Sequence, residues 1–136
     1  YSANVKSLYG KHFALLGNAA EFLDPVFSSG VTIALHSAKL AAELLAKQLE
    51  GGAVDWDAEF AKPLMIGVNA FRTYVDGWYD FRFQNVVYAP NRSPEISRMI
   101  SSILAGYAWD TENPFVAKSE QRLSTLAALV GDLQIE

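Results

Sequence analysis

Hydrophobic positions change their spacing several times along this chain, and each change predicts an element. Residues 3–9 (ANVKSLY) and 12–16 (HFALL) are short apolar runs joined by Gly10-Lys11. They predict a β-hairpin in which Gly10 supplies the positive φ of a tight turn. From Val31 the period becomes helical: Val31, Ala34, Leu35, Ala38, Ala41, Ala42, Leu45 and Leu49 recur three and four residues apart. Thr32, His36, Lys39, Glu43, Lys47 and Glu50 occupy the opposite face, so the stretch predicts an amphipathic helix of about five turns. Ser28 or Ser29 can supply its N-cap oxygen, and Gly51-Gly52 a left-handed stop.

Asp55 then caps a second helix whose first turn carries Asp57 and Glu59, the sign that suits an N-terminal dipole. Its apolar stripe runs Phe60, Leu64, Val68, Phe71, Val75 and Trp78, with Pro63 inside it predicting a kink or restart. Phe71 to Tyr88 is densely aromatic. Ser93-Pro94 is an N-cap followed by proline at the first helical position, opening a helix with Ile96, Met99, Ile100, Ile103 and Leu104 inward. YAWDTENPF reads as a loop, and Ser119 starts a last helix with Leu123, Leu126, Ala127, Val130 and Leu133 on one face. The fold class expected is mainly α with an N-terminal β-hairpin, divided into residues 1–50 (hairpin, loop and first helix) and a helical part, residues 51–136.

Composition limits what such a fold does. The 136 residues are 51% hydrophobic and 19% charged, an ordinary globular balance with enough apolar material for a core. A net charge of -4 argues against nucleic acid or an anionic membrane surface as partner. There is no cysteine, and the two histidines, His12 and His36, are too far apart to form a helical ligand pair, so no metal site is expected. No apolar run approaches the roughly 18–20 residues that cross a bilayer, and a cytoplasmic location is the default expectation.

The chemistry concentrates in LLGNAAEFLDPVFSSGVTIALHSAKLAAELL, residues 15–45. Gly17 after an apolar strand lets the backbone turn sharply and come close to a bulky ligand. Asn18 offers an acceptor and two donors at that turn. Asp24-Pro25 stiffens the following loop, and Asp24 either caps it or faces a ligand. Ser28, Ser29, Gly30 and Val31 then open the helix, whose first N–H groups lack intrahelical acceptors and favour an anion or a carbonyl gaining negative charge. The small stripe Gly30, Ala34, Ala38 and Ala41 allows close approach by a strand or a cofactor. His36, beside Thr32 and Lys39, reads as a solvated surface histidine, and Ser28-Ser29 as a cap rather than a nucleophile.

This stretch resembles the second cofactor-binding motif of FAD-dependent monooxygenases, halogenases and polyprenyl reductases of the p-hydroxybenzoate hydroxylase type. Asp24-Pro25-Val26-Phe27-Ser28-Ser29-Gly30-Val31 looks most like the flavin-dependent halogenase branch, and the specific match covers about residues 12–45. The resemblance implies FAD as cofactor. It places Asn18 at a ribityl hydroxyl, Pro25 beside the isoalloxazine, and the N–H groups around Gly30 and Val31 at the N1–C2 carbonyl edge, with Gly17, Asp24 and Ser29 in the same motif. A helix N-terminus at that edge would favour the reduced, anionic flavin. In halogenases, backbone groups at the places of Ser29 and Gly30 also contact halide.

The sequence departs from the pattern twice. Asn18 stands where the family usually has aspartate, keeping an acceptor and losing the charge. Neither the G-x-G-x-x-G fingerprint nor the W-x-W-x-I-P motif of halogenases is present. The expectation is therefore the C-terminal fragment of an α+β FAD-binding fold, without its dinucleotide-binding domain and inactive alone. It would act on an aromatic or polyene small molecule, with a flavin reductase or NAD(P)H as electron source. Tyr74, Tyr79, Phe83 and Tyr88 are candidates to line the substrate pocket. An open apolar face predicts self-association of the isolated segment. The alternatives are a polyprenyl-reductase-type flavoenzyme and a non-catalytic helical interaction module.

Overall fold

A computed structural model describes residues 1–132 of the chain; Leu133, expected on the last helix, lies outside the described residues. Among the described residues, four two-residue strands precede six α-helices. The chain divides into two compact units, Tyr1–Val68 and Asn69–Glu136, and the division falls inside a helix.

In the first unit β1 (Ala3–Asn4) does not belong to the hairpin. It pairs antiparallel with β4 (Glu21–Phe22), while β2 (Tyr9–Gly10) pairs with β3 (Phe13–Ala14). The predicted hairpin is present, but its turn is Lys11-His12 and Gly10 lies within a strand. Gly10 supplies space there and not a left-handed φ, because a Cβ on it would run into Cε1 of the Phe13 ring paired with it. A 3-10 turn, Gly17–Ala19, follows β3, and a second, Pro25–Phe27, follows β4.

Helix α1 (Gly30–Leu49) has the expected length and stop. Gly51, at φ +86°, donates to the Gln48 carbonyl and Gly52 to that of Lys47, the paired bonds of a left-handed C-terminal cap. Its inward face differs from the expected stripe. Ile33, Ser37 and Leu44 are buried, whereas Val31, Leu35 and Leu49 are 71%, 69% and 79% exposed. Periodicity marks two apolar edges on this helix; within the unit its partners are the Gly17 turn and the Asp57–Ala61 turn, and the edge carrying Val31, Leu35 and Leu49 stays exposed.

Asp55 caps the next helical segment as predicted, accepting from the Asp57 and Ala58 N–H groups at 2.9 and 3.1 Å, while Glu59 accepts from the Asp55 N–H. A π-helical turn, Asp57–Ala61, then leads into α2 (Lys62–Tyr79). The wide turn is the restart expected at Pro63: proline has no N–H for the carbonyl four residues back and its ring crowds that carbonyl. The predicted stripe holds for Phe60, Leu64, Val68, Phe71 and Val75, all buried, while Trp78 at its end is half-buried.

The second unit continues α2 into α3 (Arg82–Tyr88), α4 (Pro94–Leu104), α5 (Pro114–Ala117) and α6 (Ser119–Asp132). Phe81, between α2 and α3, takes φ +69°, and Asp80 accepts from the Arg82 N–H at 3.1 Å to start α3. Ser93 caps α4 through the Ile96 N–H, with Ile100 and Ile103 in the core. YAWDTENPF is a loop only as far as Asn113. That buried side chain accepts from the Phe115 N–H at 3.0 Å and donates to the Met99 carbonyl at 2.9 Å, capping a helical turn that opens with Pro114. Among the described residues no helix is long and apolar enough to cross a membrane.

Candidate functional site

The motif stretch forms one side of the first unit. Leu16 is extended, and Gly17 turns left-handed at φ +51° into the 3-10 turn, where the Ala20 N–H closes on the Gly17 carbonyl at 3.0 Å. A Cβ on Gly17 would lie 3.0 Å from Ala34 Cβ, so the turn rests directly on α1. Its N–H donates to Ser37 Oγ at 3.0 Å, and that hydroxyl donates to the Ala34 carbonyl at 3.0 Å. Nothing in the local sequence singled out Ser37; its signal is a small hydroxyl residue on a helix face that otherwise buries Ile33 and Leu44.

Asn18 is exposed, and its Oδ1 lies 3.4 Å from the place a Cβ on Gly30 would occupy. Asp24 accepts from the Val26 N–H at 3.2 Å, and its own N–H donates to Ser2 Oγ at 3.0 Å, which makes it the cap of the Pro25–Phe27 turn. Pro25 is exposed at the head of that turn. Ser28 takes a left-handed conformation, φ 54° and ψ 32°, and directs the chain into α1.

Neither serine caps α1. Ser29 holds the N-cap position in helical conformation, makes no capping bond, and its buried Oγ has no hydrogen-bond partner in the structure. The first turn of α1 also carries no acidic residue. The partial positive charge of the leading N–H groups is therefore not offset by the helix's own side chains. Beside them is an open cavity of about 520 Å³ lined by Leu16, Gly17, Asn18, Ser28, Gly30 and Val31, together with Ala34. A second, largely apolar cavity of about 820 Å³ lies in the same unit between the β2–β3 hairpin and α1, with Phe13, Leu45 and Trp56 in its wall.

The other expected residues separate. Tyr74 and Phe83 are core residues of the second unit, 0% and 1% exposed with ring centroids 5.0 Å apart. Tyr74 donates its hydroxyl to the Phe115 carbonyl at 3.1 Å, and burial raises its pKa far above the ordinary tyrosine range. Tyr79 and Tyr88 are surface residues of that unit, 59% and 71% exposed. His36 is half-buried on α1, and partial burial followed by the nearby Lys39 lowers its pKa below the usual histidine value. Among the described residues no cluster of three or more metal-ligating side chains occurs.

The residues around the smaller cavity combine small, apolar and hydrogen-bonding groups. Gly17 and Gly30 keep side chains out of it, Leu16 and Val31 give it apolar walls, and the uncapped start of α1 with the free edge of Asn18 gives it donors.

Comparison with known proteins finds flavin enzymes. The chain is 34% identical over 82 residues to the 1H-pyrrole-2-carbonyl-[peptidyl-carrier protein] chlorinase of Pseudomonas fluorescens, a match covering 60% of the chain and 17% of that protein. It is 46% identical over 55 residues to tryptophan 2-halogenase of Chondromyces crocatus, covering 40% of the chain and 10% of that protein. The crystal structure of a flavoprotein/dehydrogenase from Cytophaga hutchinsonii superposes on 96% of the chain with a TM-score of 0.92 at 44% identity, and the match spans 33% of that longer chain. No family model matches. These matches support the chain's place in the flavin-dependent halogenase and p-hydroxybenzoate hydroxylase-like superfamily. Its mainly helical fold with short antiparallel strand pairs corresponds to about a third of such a flavoprotein.

Proposed function

We propose that the chain is part of an FAD-dependent oxidoreductase with halogenase-like or monooxygenase-like chemistry on an aromatic or polyene small molecule, and that residues 17–31 hold the flavin. The observation that carries this is the left-handed Gly17 turn standing over the uncapped N-terminus of a 20-residue helix. FAD, when bound, supplies the electron transfer; an NAD(P)H-dependent step or a flavin reductase supplies the electrons. Gly17 brings the turn close to α1, Asn18 would offer its carboxamide to a hydroxyl of the cofactor, and the N–H groups at Gly30 and Val31 would donate to its polar edge. Those donors, fixed at the helix start, would stabilise negative charge on the bound flavin at little cost of reorganisation. Leu16, Val31 and Ala34 exclude water from one side. Asp24 holds the Pro25 turn through the Val26 N–H, and Ser29 carries the chain into the helix.

The test is a titration of the full-length protein with FAD, followed by flavin fluorescence or calorimetry, beside Gly30→Glu. A Cβ at position 30 meets only Asn18 Oδ1 at ordinary contact distance, so the backbone tolerates a side chain there. The glutamate then fills the cavity and sets a carboxylate at the end of the helix meant for the flavin. Stoichiometric binding by the native protein and its loss in the folded variant are expected; a folded native protein that ignores FAD overturns the assignment. Product analysis with reductant, oxygen and halide then separates halogenation from hydroxylation and from double-bond reduction.

A further inference from the structure

Ser37 is 0% exposed, one and a half turns or more from any residue of the motif on its own helix, and outside the wall of the flavin cavity. A buried hydroxyl costs stability unless its hydrogen bonds are made. Here both are: it donates to the Ala34 carbonyl and accepts the Gly17 N–H, each at 3.0 Å. The first of these bonds keeps the side chain in place against its own helix. The second reaches twenty residues back along the sequence, to the single left-handed residue of the turn that presents Asn18.

Gly17 is thus held by the bond to Ser37, at a place so close to Ala34 that a Cβ would stand 3.0 Å from it. Because the Ala20 N–H closes the turn on the Gly17 carbonyl, fixing Gly17 also fixes Asn18. The Asn18 carboxamide then stands beside Gly30, at the open start of α1. The bonded groups run from Ser37 through Gly17 to the turn that carries Asn18, whose carboxamide lies beside Gly30.

We propose that Ser37 is a positioning residue for this site, acting through the Gly17 N–H to place Asn18 against the first turn of α1. The proposal rests on the flavin reading of residues 17–31. It distinguishes Ser37 from an ordinary core residue, because its effect on the cofactor passes through Asn18 and not through general stability.

The experiment is a double-mutant cycle in the full-length protein, with Ser37→Ala, Asn18→Ala and the double variant titrated with FAD and their unfolding measured in parallel. Ser102→Ala serves as control; it removes a comparable hydroxyl bond to the Met99 carbonyl in the second unit. Ser37→Ala leaves the buried Gly17 N–H without its acceptor and is expected to weaken FAD binding about tenfold. The double variant should bind within about twofold of the weaker single variant, since the two changes interrupt one path. Ser102→Ala should lower stability without changing FAD affinity. If Ser37→Ala does not fold, Ser37→Cys, which keeps a weak acceptor of similar shape, takes its place in the cycle.

Multiplicative losses in the cycle, or a Ser37→Ala protein that binds FAD like the native one, overturn the positioning role and leave the flavin assignment standing. A folded native protein that does not bind FAD overturns the flavin assignment itself, and this proposal with it.

Discussion

Replacing Gly17 by alanine asks two things of the structure that can be weighed separately. The first is backbone strain: an alanine held at φ +51° carries a left-handed penalty of about 1–2 kcal/mol. The second is contact. The new methyl would stand 3.0 Å from Ala34 Cβ and 3.3 Å from Ala34 Cα, neither of which is a flexible side-chain end able to swing away. Forcing a methyl into such a place costs about 1–3 kcal/mol. Against these, alanine restricts the unfolded chain and returns about 0.4–1 kcal/mol. The net expectation is a loss of about 1–5 kcal/mol. Gly51→Ala is the internal reference: φ there is +86°, but nothing lies within 4 Å, so the backbone penalty acts with no clash. Urea unfolding of both variants, read as the shift of the midpoint at unchanged slope, isolates the contact as the difference between them. Equal losses in the two variants would refute the claim that the turn rests on α1 at this point. FAD affinity should fall in Gly17→Ala and stay unchanged in Gly51→Ala.

Tyr74→Phe removes the hydroxyl bonded to the Phe115 carbonyl in the second unit and should cost about 1–2 kcal/mol of stability with FAD affinity unchanged; a drop in substrate turnover without loss of stability would restore Tyr74 to the pocket lining expected from the sequence. Asn113→Ala removes the cap of α5 and the bond to the Met99 carbonyl, and about 2 kcal/mol should be lost in denaturant unfolding; a neutral result would mean that this loop is held by other contacts. His36 has a folded pKa below its unfolded value of about 6.5, so its contribution is fully present above that pH and is lost as pH falls through the folded value. His36→Gln should therefore lose less stability than the native protein between pH 7 and pH 5, measured as the urea midpoint at each pH, and parallel curves would refute the assignment.

The helices of this protein were legible where local signals agreed with burial. Phe60, Leu64, Val68, Phe71 and Val75 repeat at helical spacing and are all in the interior, and Ser93-Pro94 marks the start of α4 through a cap that is formed by the residues themselves. Asn113-Pro114 carried the same kind of start signal inside a stretch that otherwise reads as loop. The hairpin was legible as a pair of runs, but not its register. Gly10 has the freedom for a turn and is instead used for its lack of a side chain under Phe13, a choice made by the ring across the strand.

The candidate site divides in the same way. By itself the sequence determined that an apolar strand, a Gly-Asn turn, an Asp-Pro loop and a glycine-opened helix follow one another, because glycine, proline and the caps act on their immediate neighbours. Only the tertiary structure decided which of these residues meet. Gly17, Asn18, Gly30 and Val31 gather at one cavity, Asp24 caps its own loop, and Ser37 becomes the acceptor for the turn. The same holds for the faces of α1, where Ser37 is buried and Val31 exposed against their hydropathy. Periodicity describes how a helix presents its side chains, whereas burial depends on which neighbouring backbone can approach. On α1 those neighbours are the Gly17 turn, so close that a Cβ there would press on Ala34, and the Asp57–Ala61 turn.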